Sequence, residues 1–397
     1  MPTTPARVRR CTSLYIERRN RWVFDPVRML QGEDGLIAHE ECIGLNPQHG
    51  VEVVLTSVEI LALDHVGQNV WNAADKLAQA IGEDCVRSLL AKGVLVLEGT
   101  AACARDEQIR DSNWHSLTST AHVFSRWSGT DSVAAQREAR LHSVEEMVRA
   151  CGPPPPHFYH RADAQSRALL PRPPRNDLDD LMARRATCRN FDTSAVLAQS
   201  DVGALLHRAF GVQGSEELAP GAVALKKNHP SGGGLHPLEA YLVVQRVEDL
   251  QPGVYHYNVE SHALDLLRAM PVRDVHALSL TAVAGQTYFA EAPVMLVIAA
   301  RFARSFWKYR NHPKIYRAIV LEAGHASQNV YLAATDMGMG AYVTAAINEV
   351  EIEQAFGLDP LVEGPLAVCG FGRRTSQKTT VELDPLGMVW NAAGHGL

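Results

Sequence analysis

The sequence is short of the features that would tie a chain to a membrane, a disulfide framework or nucleic acid. No uninterrupted apolar run reaches the roughly 18 residues of a membrane span. The strongest run, residues 292–300, suits a buried strand. The start, residues 1–21, is basic but lacks the apolar core of a signal peptide. There are 7 cysteines, with no CxxC pair and no short-range His/Cys cluster. That pattern argues against both metal binding and a disulfide framework, and fits reduced thiols in the cytosol. The formal net charge of -6 offers nucleic acid no bulk attraction. No GxGxxG follows a strand, and no repeat or low-complexity segment occurs. What is there is ordinary for a soluble globular protein, with 46% hydrophobic and 21% charged residues. At 397 residues the chain is long enough for two or three domains.

Three regions separate by composition. Residues 1–150 read as an N-terminal domain. Within it, residues 13–16 and 22–24 are strand-like. Residues 51–99 are clearer: a strand over 51–55, a helix opened by Thr56 with Glu59 as its capping-box partner, a helix from Asn72 that stops at Gly82, and a third over 83–92 burying Val86, Leu89 and Leu90. A strand over 94–97 follows. Three short helices and a strand form a winged-helix-like pattern. Lys76, Arg87 and Lys92 there face Glu52, Glu59, Asp64, Asp75, Glu83, Asp84 and Glu98, a balance that argues against phosphate contact. The module is then either a structural or dimerisation unit or a recognition element for peptides. A proline-rich linker over 151–175 separates it from a C-terminal domain over 176–397.

The chemistry-bearing motifs all follow the linker. Asp177 caps a helix that runs into Arg184-Arg185-Ala186-Thr187-Cys188-Arg189-Asn190-Phe191. If this piece is extended, alternation puts Arg185, Thr187 and Arg189 on one side, with Phe191 in line. Two guanidinium forks and a hydroxyl suit a phosphate, although a basic helix end alone is common. Ser200 caps a helix over 201–210, closed by Gly211, and a polar loop follows. Then comes Pro230-Ser231-Gly232-Gly233-Gly234-Leu235-His236-Pro237-Leu238-Glu239-Ala240-Tyr241. Three glycines let backbone approach a flat ligand with N–H groups free to face it. Downstream, residues 315–337 read as one long helix with Ile319, Ala323, Ala326, Val330 and Ala334 on a single face.

These motifs together resemble the nitroreductase family. The glycine-rich loop, the turn Pro252-Gly253-Val254-Tyr255-His256-Tyr257, and Leu321-Glu322-Ala323-Gly324-His325-Ala326-Ser327-Gln328-Asn329 are similar to its SagB-type branch of peptide-maturation dehydrogenases. The resemblance covers roughly residues 176–375. It implies an α+β nitroreductase fold in the C-terminal half, preceded by the smaller winged-helix-like domain, an obligate homodimer, and FMN at the dimer interface. By position, Arg185, Thr187 and Arg189 would hold the FMN phosphate and ribityl, Ser231, Gly232 and Gly233 would line the flavin, backbone near Thr344 and Ala345 would pass its reactive edge, and Arg373 would reach the phosphate. One departure stands out: where many nitroreductases place an Asn in the glycine loop, this chain has Gly234.

The resemblance also implies that Lys308 and Tyr309 form the catalytic pair. A partly desolvated lysine can serve as a base, and a neighbouring cation favours tyrosinate. Without the resemblance, both would read as part of an exposed basic turn. His325 reads as a packed structural histidine. The segment from Trp114 to Trp127 resembles a stretch ahead of the SagB-type domain and carries no assigned role. The function implied is oxidation of a modified peptide, azoline to azole, with other peptide-modifying enzymes as partners. An NAD(P)H-dependent flavin reductase of nitro compounds or dehydroamino acids is one alternative. A non-catalytic flavin-containing scaffold that presents a peptide is another.

Overall fold

The computed structural model describes residues 6–396; residues 1–5, the first part of the basic start, and residue 397 lie outside the described residues. The chain divides into two compact units. The first holds residues 6–126, 302–318 and 360–362; the second holds 127–301, 319–359 and 363–396.

In the first unit, Tyr15–Phe24, Leu36–Asn46 and Val51–Leu55 form an antiparallel sheet. The two strand-like pieces of the sequence are thus one long strand. Thr56 caps Ser57–Ala62 through a capping box with Glu59. Glu59 also takes bonds from Lys92 Nζ at 2.6 and 2.7 Å and from Ser88 Oγ at 2.7 Å, which ties this helix to Glu83–Ala91. The next helix begins at Ala74 and not at Asn72. Asn72 pairs with Val8 in a small sheet that Leu95–Leu97 completes, and strand pairing outcompetes its capping tendency. Val86 and Leu89 are buried as the periodicity requires; Leu90 is half-buried. Trp114 is a core anchor. Its ring packs on Phe302, Phe306, Tyr316 and His122, and its Nε1 donates to the Leu361 carbonyl at 2.8 Å. Burial in this aromatic cluster pushes His122 down to about 4, so it is neutral at physiological pH.

The second unit is built on six antiparallel strands in the order Ala263–Ala269, Gly253–Asn258, Leu238–Val244, Val294–Arg301, Glu363–Gly372, Gly340–Thr344. Val294–Arg301 is central, with Val297 opposite Tyr241 on one side and Val368 on the other. Residues 294–300 are buried on both faces, which is why the apolar run there is continuous and not alternating. One face packs Met295, Val297 and Ala299 with Phe191, Phe289 and Tyr342.

Elsewhere the register of elements shifts by a residue or more. Asn176, not Asp177, caps Asp177–Arg184, with Asp179 closing a capping box. Gln199–Phe210 starts ahead of Ser200 without a side-chain cap. The polar loop after Gly211 is a two-stranded hairpin, Val212–Ala219 with Ala222–Lys227, mostly exposed and so without an apolar period to reveal it. The long helix is Lys314–Asp336, and Ile319, Ala323, Ala326, Val330 and Ala334 are all buried. His325 on the same helix is exposed, so it is not the packed histidine expected from the sequence.

Candidate functional site

The basic segment after Asp177–Arg184 is extended and lies against the edge strand Gly340–Thr344. Thr187 bridges Ala341, and the Cys188 N–H donates to the Ala341 carbonyl at 2.8 Å. Gly340 makes this approach possible, because a Cβ there would meet Cys188 Sγ at 2.6 Å. Ala186, Cys188 and Asn190 are buried, while Arg185, Thr187 and Arg189 are half-buried on the other side, as alternation requires. Phe191 breaks the pattern. It turns into the core, 6.0 Å from the Tyr342 ring, where the chain bridges Arg374.

Three groups that the sequence did not single out shape this face. The Arg185 guanidinium lies 5.2 Å over the Tyr331 ring, and Thr187 Oγ1 is 3.0 Å from the Tyr331 hydroxyl, which also accepts the Val343 N–H at 3.1 Å. Arg189 lies 5.8 Å over Tyr288 and 5.9 Å over Phe289. Among the described residues, neither guanidinium is in an ion pair. Two cations on one side of the segment, each over an aromatic ring, with a hydroxyl between them in sequence and no ion-pair partner among the described residues, are a donor set suited to an anion.

The C-terminal segment holds this strip in place. Buried Glu382 accepts the Arg189 N–H at 2.5 Å, Asn190 Nδ2 at 2.8 Å and Trp390 Nε1 at 2.9 Å, and it pairs with Arg374. Arg374 also donates to the Ala186 carbonyl at 2.9 Å. Arg373, the residue expected at the phosphate, instead pairs with Asp201 at 3.2 Å on the surface. The two arginines leave the strand Glu363–Gly372 in opposite directions, and the sequence carries no signal for which one turns inward.

In the glycine loop, Gly232–Gly234 form a short turn in which Gly233 and Gly234 have φ of 72° and 70°. Side chains seldom adopt that region, so glycine is required. Gly232 is half-buried, and Gly233 and Gly234 are exposed. The Ser231 hydroxyl points inward: it donates to Glu322 Oε2 at 2.6 Å and accepts the His236 N–H at 2.8 Å. Thr344 Oγ1 accepts from Ala346 N–H at 3.1 Å and from Gln286 Nε2 at 3.4 Å, and Ala345 is exposed just past the strand end. All nine residues expected around the flavin belong to the second unit. Lys308 and Tyr309 belong to the first, in the turn after the short helix Phe302–Phe306. Lys308 is exposed and Tyr309 half-buried, with the ammonium 5.3 Å from the ring centre.

Residues 182–373, which contain the nine residues expected around the flavin and also Lys308 and Tyr309, match the nitroreductase family. A protein of Methanocaldococcus jannaschii named "putative nitroreductase" is 32% identical over 197 residues, which is 50% of this chain and 91% of that protein. The chain belongs to the nitroreductase family. Members of this family generally bind a flavin, usually FMN. Two further relatives are named as processing proteins. The trifolitoxin-processing protein TfxB of Rhizobium leguminosarum bv. trifolii is 32% identical over 144 residues, 36% of this chain and 38% of TfxB. The microcin B17-processing protein McbC of Escherichia coli is 29% identical over 196 residues, 46% of this chain and 65% of McbC. The chain therefore spans less than two thirds of either processing protein. The resemblance to the SagB-type branch of nitroreductases agrees with these names.

Proposed function

We propose that this nitroreductase is an FMN-dependent dehydrogenase that oxidises a modified peptide, converting an azoline ring to an azole. The observation that supports it most is the pairing of an unneutralised Arg185-Thr187-Arg189 strip with kinship to two peptide-processing proteins. The donor set fits a flavin phosphate: Arg185 and Arg189 supply forked, charge-assisted donors, and Thr187 a hydroxyl held by Tyr331. Ser231, Gly232 and Gly233 would contribute loop backbone, and Thr344 and Ala345 the chain past the strand end. Arg374 and Glu382 would fix the strip from behind. Arg373 is tied to Asp201 and would reach a phosphate only by giving up that pair.

A bound flavin supplies the acceptance of two electrons. The protein's part is to hold the peptide ring and take its proton. Lys308 or Tyr309 would remove the proton from the ring carbon. The test is product mass. Incubated with an azoline-bearing peptide and oxygen, the protein should yield a product lighter by two hydrogens. Nitro-compound reduction by NAD(P)H with no peptide oxidation would refute this reading in favour of the reductase.

The functional unit would be a homodimer. Val320 and Leu321 on the long helix are 46% and 65% exposed in the single chain, an apolar surface that a second copy would cover. Sedimentation should return a dimer, with dilution releasing flavin as monomer forms. A monomer that retains flavin tightly would contradict the dimer.

A further inference from the structure

Beneath the glycine loop lies a cluster that the flavin reading leaves unused. His229 follows the strand Ala222–Lys227, His236 follows the glycine turn, and Glu322 lies on the long helix. Their side chains are 1%, 6% and 2% exposed. One atom of each has no hydrogen-bond partner: His229 Nε2, His236 Nδ1 and Glu322 Oε1. These three atoms converge. Oε1 lies 3.5 Å from Nε2 and 3.6 Å from Nδ1, and all three are within 4.8 Å of one another.

We propose that His229, His236 and Glu322 are the protein ligands of a zinc-class divalent ion. Three features carry this. First, the separations suit coordination better than direct bonding. A charge-assisted N–H to carboxylate bond spans about 2.7–2.9 Å. Ligand bonds of about 2.0–2.1 Å in a tetrahedron place neighbouring ligand atoms roughly 3.3–3.5 Å apart. Second, the tautomer of His229 is set for it. Its Nδ1 lies 3.2 Å from the Ala209 carbonyl, which can only accept, so Nδ1 donates there and Nε2 is the ring nitrogen turned to the cluster. Third, the supporting bonds are in place: Ser231 Oγ holds the other oxygen of Glu322 and is itself held by the His236 N–H. Metal ligands are oriented by just such outer contacts. Two imidazoles and one carboxylate form a donor set that zinc takes, with water in the fourth position. The ion would clamp the glycine loop to the long helix.

Nothing in the spacing of these residues along the chain signals a site, since the ligands come from separate elements that only the fold brings together. The proposal is independent of the flavin chemistry. Its test is metal analysis of tag-free, purified full-length protein by mass spectrometry. About one equivalent of zinc per chain is expected. Chelation followed by Co(II) should produce the strong visible bands of tetrahedral cobalt, displaced by Zn(II). E322Q and H236N should lose most of the metal, while H325A, altering an exposed histidine on the same helix, should retain it. If either ligand variant fails to fold, the wild-type measurements still decide. Folded wild-type protein with less than about a tenth of an equivalent of metal and no cobalt uptake would overturn the site. So would E322Q and H236N that bind as much metal as wild type.

Discussion

Replacing Arg185 and Arg189 together by alanine should strip the flavin from the purified protein. Each arginine offers charge-assisted donors worth about 1.5–3 kcal/mol to a charged acceptor. Losing both should weaken flavin binding by about two orders of magnitude or more, because each 1.4 kcal/mol is tenfold. Among the described residues neither guanidinium is used in an ion pair, so their loss breaks no buried salt bridge there and the fold should persist. By contrast, R373A removes only a surface pair with Asp201, and such pairs contribute little. It should retain flavin nearly as wild type does. Fluorescence titration of the apoprotein with FMN measures both. Full affinity in the double variant would mean that this strip does not hold the phosphate.

Lys308→Ala and Tyr309→Phe should each keep the flavin and the melting temperature but lose peptide oxidation. A positioned general base contributes typically about 10²–10⁴-fold. Its loss should fall on kcat far more than on KM, since the proton moves mainly in the transition state. The side chains support a clean experiment. Lys308 is exposed, Tyr309 is half-buried, and their mutual contact is the ammonium over the ring, so little packing is lost. A structural role would show instead as a lowered melting temperature with turnover per folded molecule unchanged. Wild-type rates in both variants would make the pair a surface feature and move the search for the base to exposed His325.

Local patterns were readable from the sequence where one physical rule acts alone. Period two placed Arg185, Thr187 and Arg189 on one face, and helical period placed Ile319, Ala323, Ala326, Val330 and Ala334 in the core. The capping box of Thr56 and Glu59 formed as its spacing demands. Readings failed where tertiary pairing competes with a local rule. Asn72 is a good cap but joins a sheet, and Phe191 leaves its alternation to fill the core beside Tyr342. Tyr331, Glu382 and Arg374 were invisible because they act at a distance in sequence and carry no period of their own. Ser231 stands in the glycine loop, and its hydroxyl serves Glu322, a partner that no spacing rule connects to it.

The central claim is that this nitroreductase takes electrons from a modified peptide. Anaerobic stopped-flow mixing tests it most directly. The oxidised protein is mixed either with an azoline-bearing peptide or with NAD(P)H, and the yellow colour of the flavin is followed. Bleaching by the peptide in a single turnover is expected, with an azole recovered from the quenched mixture. Bleaching by NAD(P)H with a peptide that never reduces the flavin would contradict it.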